Sequence, residues 1–327
     1  MVNYLIRRLM LGALTLLIIT FLIYALIRKI PGTPLTVNQA AGDPSLLMSE
    51  ADQKRLEKAY GLDKHWTLGY LDWMSKAARL DFGRSFSRKE PVARLIGQRV
   101  GNTLILTVSS LVLSYLLSIP LGLWSTARSD TFAERGVGLL LYMLYSLPSY
   151  VAALYLQILF AVKLDLLPLT GIISPESYDQ MSALGKTWDI FLHAILPVTC
   201  FTYGSLAYYS RFIKANMQEV IRQDYIRTAK AKGLSEWSIL VRHAFRNTLI
   251  PLVTLMGLTL PSLLSGAIIL EMIFNWPGMG TLFFESLRER DYPTVMGLTL
   301  MFSMLTLAGQ LLADILYSVV DPRVTYT

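Results

Sequence analysis

Charged side chains are scarce in this chain, and their placement says more than their number. Only 16% of the 327 residues are Asp, Glu, Lys or Arg, against about 25% in a soluble domain. Six runs contain none at all: Leu9–Ile27, Val100–Ala127, Gly136–Val162, Ile190–Ser210, Asn247–Leu270 and Tyr292–Ala313. They hold 19, 28, 27, 21, 24 and 22 residues. Each is long enough to cross a hydrocarbon core of about 30 Å as a helix. This distribution excludes a soluble globular domain and a disordered chain. Cysteine is nearly missing as well. Cys200, the single one, lies in the fourth run, so neither an internal disulfide nor a cysteine-based zinc cluster can form.

Other absences narrow the chemistry. The three histidines are His65, His193 and His243, and none belongs to an H-E-x-x-H metal motif. The last two runs have no histidine to face a serine within the bilayer, which argues against an intramembrane Ser–His protease. Gly185-Lys186-Thr187 resembles the end of a phosphate-binding loop, but Gln180 stands where that loop needs its first glycine. No metal, cofactor or catalytic residue is expected. Ionisable groups at mid-run, which would hold the coupling ion of a secondary transporter, are also missing. Glu271 and Asp314 sit only at run ends.

What is present reads as an all-α, polytopic membrane protein with six transmembrane helices in one domain covering residues 1–327. The expected spans are 9–29, 102–126, 137–162, 190–210, 248–270 and 294–316. The first has 19 uncharged residues and no small-residue cleavage site, so it reads as a retained anchor rather than a signal peptide. The net charge of +7 falls in the loops, which fits membrane topology and lipid head groups better than nucleic acid. With the N-terminus inside, the inner segments hold 13 Lys and Arg and the two short outer loops hold 4. This predicts both termini in the cytoplasm and residues 30–99 outside.

Two hydrophilic segments have order of their own. In the outer one, Ser49-Glu50-Ala51-Asp52 resembles a helix-capping box, with Gly61 as a stop. Trp66, Tyr70 and Trp73 then share a helical face, either lying at the interface or packed against the spans. Pro91, Val92, Leu95 and Ile96 suggest a short amphipathic elbow before the second span. The inner segment, 211–247, carries eight basic and three acidic residues. Within it, Asp224 to Gly233 predicts a helix with acid at its start, base in its last turn and glycine at its stop. Ser235 can cap a second helix. Tyr225, Ala229 and Gly233 fall at i, i+4 and i+8, a face on which small residues would allow close approach to a partner.

Taken in order, these motifs resemble the inner-membrane permease subunits of the dipeptide, oligopeptide and nickel ABC importers. The resemblance runs over essentially the whole chain. It rests on Tyr4-Leu5-Ile6-Arg7-Arg8, Ile30-Pro31-Gly32 and Leu80-Asp81-Phe82-Gly83-Arg84-Ser85. The loop Asp224–Leu234, continuing through Arg242-His243-Ala244-Phe245-Arg246-Asn247, is similar to the EAA loop by which such permeases dock on ATPases. The end contributes Glu271–Gly280, Asp291-Tyr292-Pro293 and Asp321-Pro322-Arg323. Two departures stand out: Thr228-Ala229-Lys230 replaces Glu-Ala-Ala, and Arg246 replaces a common proline, which appears only at Pro251.

The resemblance implies a type I ABC importer transmembrane domain in a bacterial inner (plasma) membrane. It implies a second permease that shares the pathway, two ATPase subunits, an extracytoplasmic solute-binding protein, and no enzymatic step on this chain. Asp224, Tyr225, Arg227, Thr228, Ala229, Lys230, Ala231, Lys232, Gly233 and Leu234 become the docking candidates. Glu271, Trp276, Pro277 and Gly278 become candidates for the external gate. An ion-coupled transporter and a stand-alone membrane enzyme or receptor are the alternatives, and neither would co-purify with ATPases.

Overall fold

The computed structural model describes residues 2–29, 65–259, 263 and 268–320. The helix expected at 49–61, Ile30-Pro31-Gly32 and Asp321-Pro322-Arg323 lie outside the described residues. Among those described the fold is helical, with no strand and one isolated bridge, between Arg84 and Pro91. The backbone forms two compact units, interleaved in sequence.

The first unit draws on Met1–Gly101 and Met279–Ala308. Helix α1, Val2–Lys29, is apolar nearly all round, as a span in lipid must be. Helix α2, Trp66–Ala77, packs on it through aromatic rings. Tyr70 meets Phe21 and Tyr24 edge-on at 5.4 and 5.7 Å, and its hydroxyl lies 3.0 Å from Thr20 Oγ1. The packed arrangement is therefore the one the Trp66/Tyr70/Trp73 face adopts.

Helix α3, Val92–Ala127, opens directly at Val92, so the separate elbow expected at 91–96 is instead its first turns. Val92 and Leu95 are buried there because they are the apolar side of that start. Leu95 packs with Met279, Leu282 and Leu298. Those partners come from α10, Met279–Arg288, and α11, Tyr292–Val320.

The second unit contains Asn102–Gly278. Helices α4 (Phe132–Ser146) and α5 (Ser149–Leu156, continued by a π-helical Gln157–Lys163) cover the third uncharged run as a bent pair rather than one straight helix. They meet at a bend of 96°. Pro148 has no N–H and its ring clashes with a helical carbonyl four residues back. Leu147 accordingly turns extended, and its freed carbonyl accepts from Tyr203 Oη at 2.7 Å.

Helix α6, Ala183–Val220, carries Tyr203 and crosses α3 closely. A Cβ on Gly122 would lie 2.7 Å from Ile213 Cγ2, so only glycine permits this approach, as small residues do at membrane helix crossings. Lys214 on α6 pairs with Glu134 on α4 at 2.6 Å.

Helix α7 is Asp224–Ala231. After a short turn, Glu236–Ser238, and a π-helical Ile239–Phe245 comes α8, Arg246–Thr259. Helix α9, Ile268–Ile273, follows. Residues 260–262 and 264–267 of the fifth run lie outside the described set.

Among the described residues, four helical segments are long and apolar enough to cross a membrane: Ile6–Lys29, Val92–Ala127, Ala183–Val220 and Tyr292–Leu312. The bent α4–α5 pair makes a fifth if it counts as one span.

Candidate functional site

Helix α7 and the turn after it form an elbow with a fixed underside and a free top. The helix starts with Asp224 in its first turn and ends with Lys230 in its last, each favourable to the helix dipole. Its stop is a Schellman motif. Gly233 takes φ +76°, its N–H donates to the Lys230 carbonyl at 2.9 Å, and the Leu234 N–H reaches back to Ala229 at 3.4 Å. The next turn is capped by Ser235, whose hydroxyl accepts from the Ser238 N–H at 3.3 Å. The predicted helix, its stop and the Ser235 cap are thus where the local chemistry puts them.

The underside is apolar. Ile226 and Ala229 are buried with Ile239, Leu240 and Ala244 against Ile213 and Met217 of α6. Ala229 therefore faces the chain's own core. The expectation that it lies on a partner-facing surface with Tyr225 and Gly233 is corrected, because Ile226 and Ala229, three apart, turn the apolar stripe of this short helix inward.

Tyr225 stays half exposed at 44%, while its hydroxyl accepts from Asn247 Nδ2 at 2.8 Å. Asp224, Arg227, Thr228, Lys230, Ala231, Lys232, Gly233 and Leu234 are exposed. So is Trp237, at 62%, which sequence reasoning passed over. Its signal was a tryptophan two residues beyond a capping serine in a polar loop. Asp224 and Arg227 pair at 3.3 Å, in full solvent.

The second candidate is the break after α9. Asn275 adopts φ +48°, and the helix resumes only at Met279. Pro277 and Gly278 interrupt it as expected. Glu271, however, is fully buried. Thr103 Oγ1 of α3 donates to its Oε1 at 3.0 Å. Trp276 is fully buried too, and its Nε1 donates to the Asn102 carbonyl at 2.9 Å. Asn102 Nδ2 returns a bond to the Pro277 carbonyl, also at 2.9 Å. The backbone closes the knot, with the Trp276 N–H on the Glu271 carbonyl at 2.7 Å.

A Cβ on Gly278 would lie 2.5 Å from the Glu271 carboxyl carbon. In this arrangement Glu271 does not line an open pathway. Carboxylate, indole and glycine are packed into one another, because a buried charge needs donors around it.

Two further buried carboxylates tie loops down. In the first unit Asp291 accepts from the Ser85 hydroxyl, from the Phe86 N–H at 2.8 Å and from the hydroxyls of Ser87 and Thr294 at 3.1 and 2.7 Å. Two distant motifs, Leu80–Ser85 and Asp291–Pro293, therefore meet. In the second unit Asp189 accepts from the Ser174 N–H and hydroxyl at 2.8 and 2.7 Å. Sequence reasoning had no signal for Asp189. Among the described residues no cluster of His, Cys, Asp and Glu fits a metal ion.

The chain is a polytopic helical protein whose exposed elbow is packed on α6 through Ile226 and Ala229. Its fold is similar to that of the MetNI methionine ABC transporter in inward-facing crystals. The TM-score is 0.53 over 70% of this chain and 97% of that one, at 15% identity. Full-length sequence relatives are closer. The oligopeptide transport system permease protein AppB of Bacillus subtilis is 36% identical over the whole of both chains. The dipeptide transport system permease protein DppB of the same organism is 34% identical over 99% of this chain and 98% of its own. The glutathione transport system permease protein GsiC of Escherichia coli is 32% identical over the whole of both. Residues 118–326 match the family of binding-protein-dependent transport system inner membrane components. The chain belongs to that family, the permease subunits of ABC importers.

Proposed function

We propose that this chain is one of two related permease subunits enclosing the pathway of an ATP-driven importer for peptides. Residues 1–327 act as one permease module, with both termini in the cytoplasm. The elbow then faces the cytoplasm. Its exposed residues, Asp224, Tyr225, Arg227, Thr228, Lys230, Ala231, Lys232, Gly233 and Leu234, together with Trp237, receive one of two ATPase subunits. A solute-binding protein delivers the peptide from outside.

The observation that carries the coupling is the elbow's asymmetry. Its underside is fixed to α6 by Ile226 and Ala229, while its top has exposed aromatic and aliphatic groups and small residues. A push on the top is transmitted to α6 because close-packed interiors deform little. Two states of the ATPase pair can therefore bias two states of the pathway. The peptide assignment is supported by the full-length relatives named for oligopeptide and dipeptide transport.

The test is purification from the native membrane in mild detergent, then reconstitution. The expected result is co-purification of a second permease and ATPases, and peptide uptake that needs ATP and a binding protein. Uptake driven by an ion gradient without ATPases would remove the proposal.

A further inference from the structure

The break between α9 and α10 was expected to work as a gate, yet it is held by four side chains from two distant parts of the chain. Glu271 and Trp276 come from one side of the knot, and Asn102 and Thr103 from the other, 168 to 175 residues away in sequence. All four belong to the second unit, whose long segment the chain enters at Asn102 and leaves at Gly278. The Asn102 amide and carbonyl both bond to the break, at 2.9 Å each. Entry and exit are thereby fixed side by side.

The carbonyls of the unwound turn are engaged as well. Phe274 O accepts from the Gly171 N–H at 2.8 Å, and Ile273 O from Gln157 Nε2 at 3.3 Å. A segment meant to open and close would leave such groups to water in one state. This one buries Glu271, Trp276 and Phe274 and satisfies them internally. Separating its two sides without admitting water would leave a carboxylate and an indole N–H buried with hydrogen bonds lost, a costly state.

We propose that Glu271, Thr103, Asn102 and Trp276 form a clasp that stays closed through the transport cycle. It is a positioning element: it makes the start of α3 within this unit and the 271–278 break one rigid body, so that movement imposed at the elbow is conveyed past this point undiminished. The proposal rests on the permease reading above and assigns no contact with solute to any of the four.

The variants are Thr103→Val, which removes the donor to Glu271 at nearly constant volume, Thr103→Ser, which keeps it, and Trp276→Phe, which keeps a ring but loses the N–H. Each is reconstituted with its co-purifying subunits, and peptide taken up per ATP hydrolysed is measured beside the KM for the loaded binding protein. The expected result is a three- to tenfold fall in that ratio for Thr103→Val and Trp276→Phe at unchanged KM, with Thr103→Ser restored to the wild-type value.

An unchanged ratio, whatever the yield of complex, overturns the proposal, since a merely structural role lowers the amount of transporter and not its coupling. A leak of peptide without ATP overturns it too, in favour of a gate. If Thr103→Val does not assemble, Trp276→Phe decides alone. Wild-type protein without ATP-dependent uptake would count against the permease reading and not against the clasp.

Discussion

The elbow at Gly233 and the break at Gly278 each place a glycine where a helix is interrupted, for opposite physical reasons. Gly233 sits at φ +76°, and a Cβ there would meet nothing within 4 Å. It is glycine because of its backbone conformation. In the break the left-handed residue is Asn275, three residues before Gly278, and the glycine is needed because a Cβ would lie 2.5 Å from the Glu271 carboxyl carbon. One site leaves space for another molecule, and the other has spent its space on its own chain. Two glycine-containing interruptions thus divide into an exposed surface, proposed above for a partner, and an internal fastening.

The largest expected effect breaks the internal one. Gly278→Ala forces the Glu271 side chain to move. That side chain is flexible, but it is buried on all sides and bonded to Thr103, so movement exchanges a satisfied carboxylate for a strained one. A loss of about 1–3 kcal/mol is expected for such overpacking, read as a lower melting midpoint and a reduced yield of folded protein. Gly278→Ala/Glu271→Ala should be less unstable than the sum of the single changes, because the clash is gone. Strict additivity would show that the two residues do not compete for space.

Next comes the elbow. Gly233→Ala places a side chain in a left-handed conformation at roughly 1 kcal/mol, with no clash inside this chain. Gly233→Asp adds a negative charge at a helix C-terminus, where the dipole opposes it. Both variants should insert and melt close to wild type, since the spans are untouched. Gly233→Asp should nevertheless lose binding-protein-stimulated ATP hydrolysis. Normal stimulation would remove the docking assignment. Trp237→Ala should leave the melting midpoint unchanged and weaken retention of the ATPase subunits during purification, because a 62% exposed indole contributes little to this chain's own fold.

Local chemistry explains why some of this was legible in the sequence. The stop at Gly233, the cap at Ser235 and the break at Pro277-Gly278 each depend on a few neighbouring residues, and four of the uncharged runs coincide with the four long apolar helices. The underside of α7 was not legible. Eight residues carry too little apolar periodicity to say which face turns inward, and only contact with Ile213 and Met217 decides it. Nor was the bend at Pro148, since Pro120, Pro197 and Pro251 remain inside helices. What marks Pro148 is Tyr203, which takes up the freed carbonyl of Leu147, 56 residues away. Glu271 was misjudged for the same reason. Its position at a run end beside Pro277-Gly278 suggested an external gate, while its partner Thr103 is 168 residues distant.

The smallest expected effect on stability belongs to the ion pair on top of the elbow. Asp224 and Arg227 lie 3.3 Å apart with side chains 93% and 77% exposed. An exposed pair of this kind contributes about 0–1 kcal/mol, and salt screens what remains. Arg227→Ala should therefore leave the melting midpoint of this chain unchanged within error, and raising salt should alter the mutant and wild type alike. If the elbow receives an ATPase subunit, the same change should still lower the affinity of that association, and more strongly at low ionic strength, because charges at the rim of an interface act mainly on encounter. The measurement is ATPase binding to the purified permease pair at two salt concentrations. A mutant that lost stability but kept the wild-type salt dependence of binding would place Arg227 within the chain's own fold, and the elbow would then resemble the break rather than stand opposite to it.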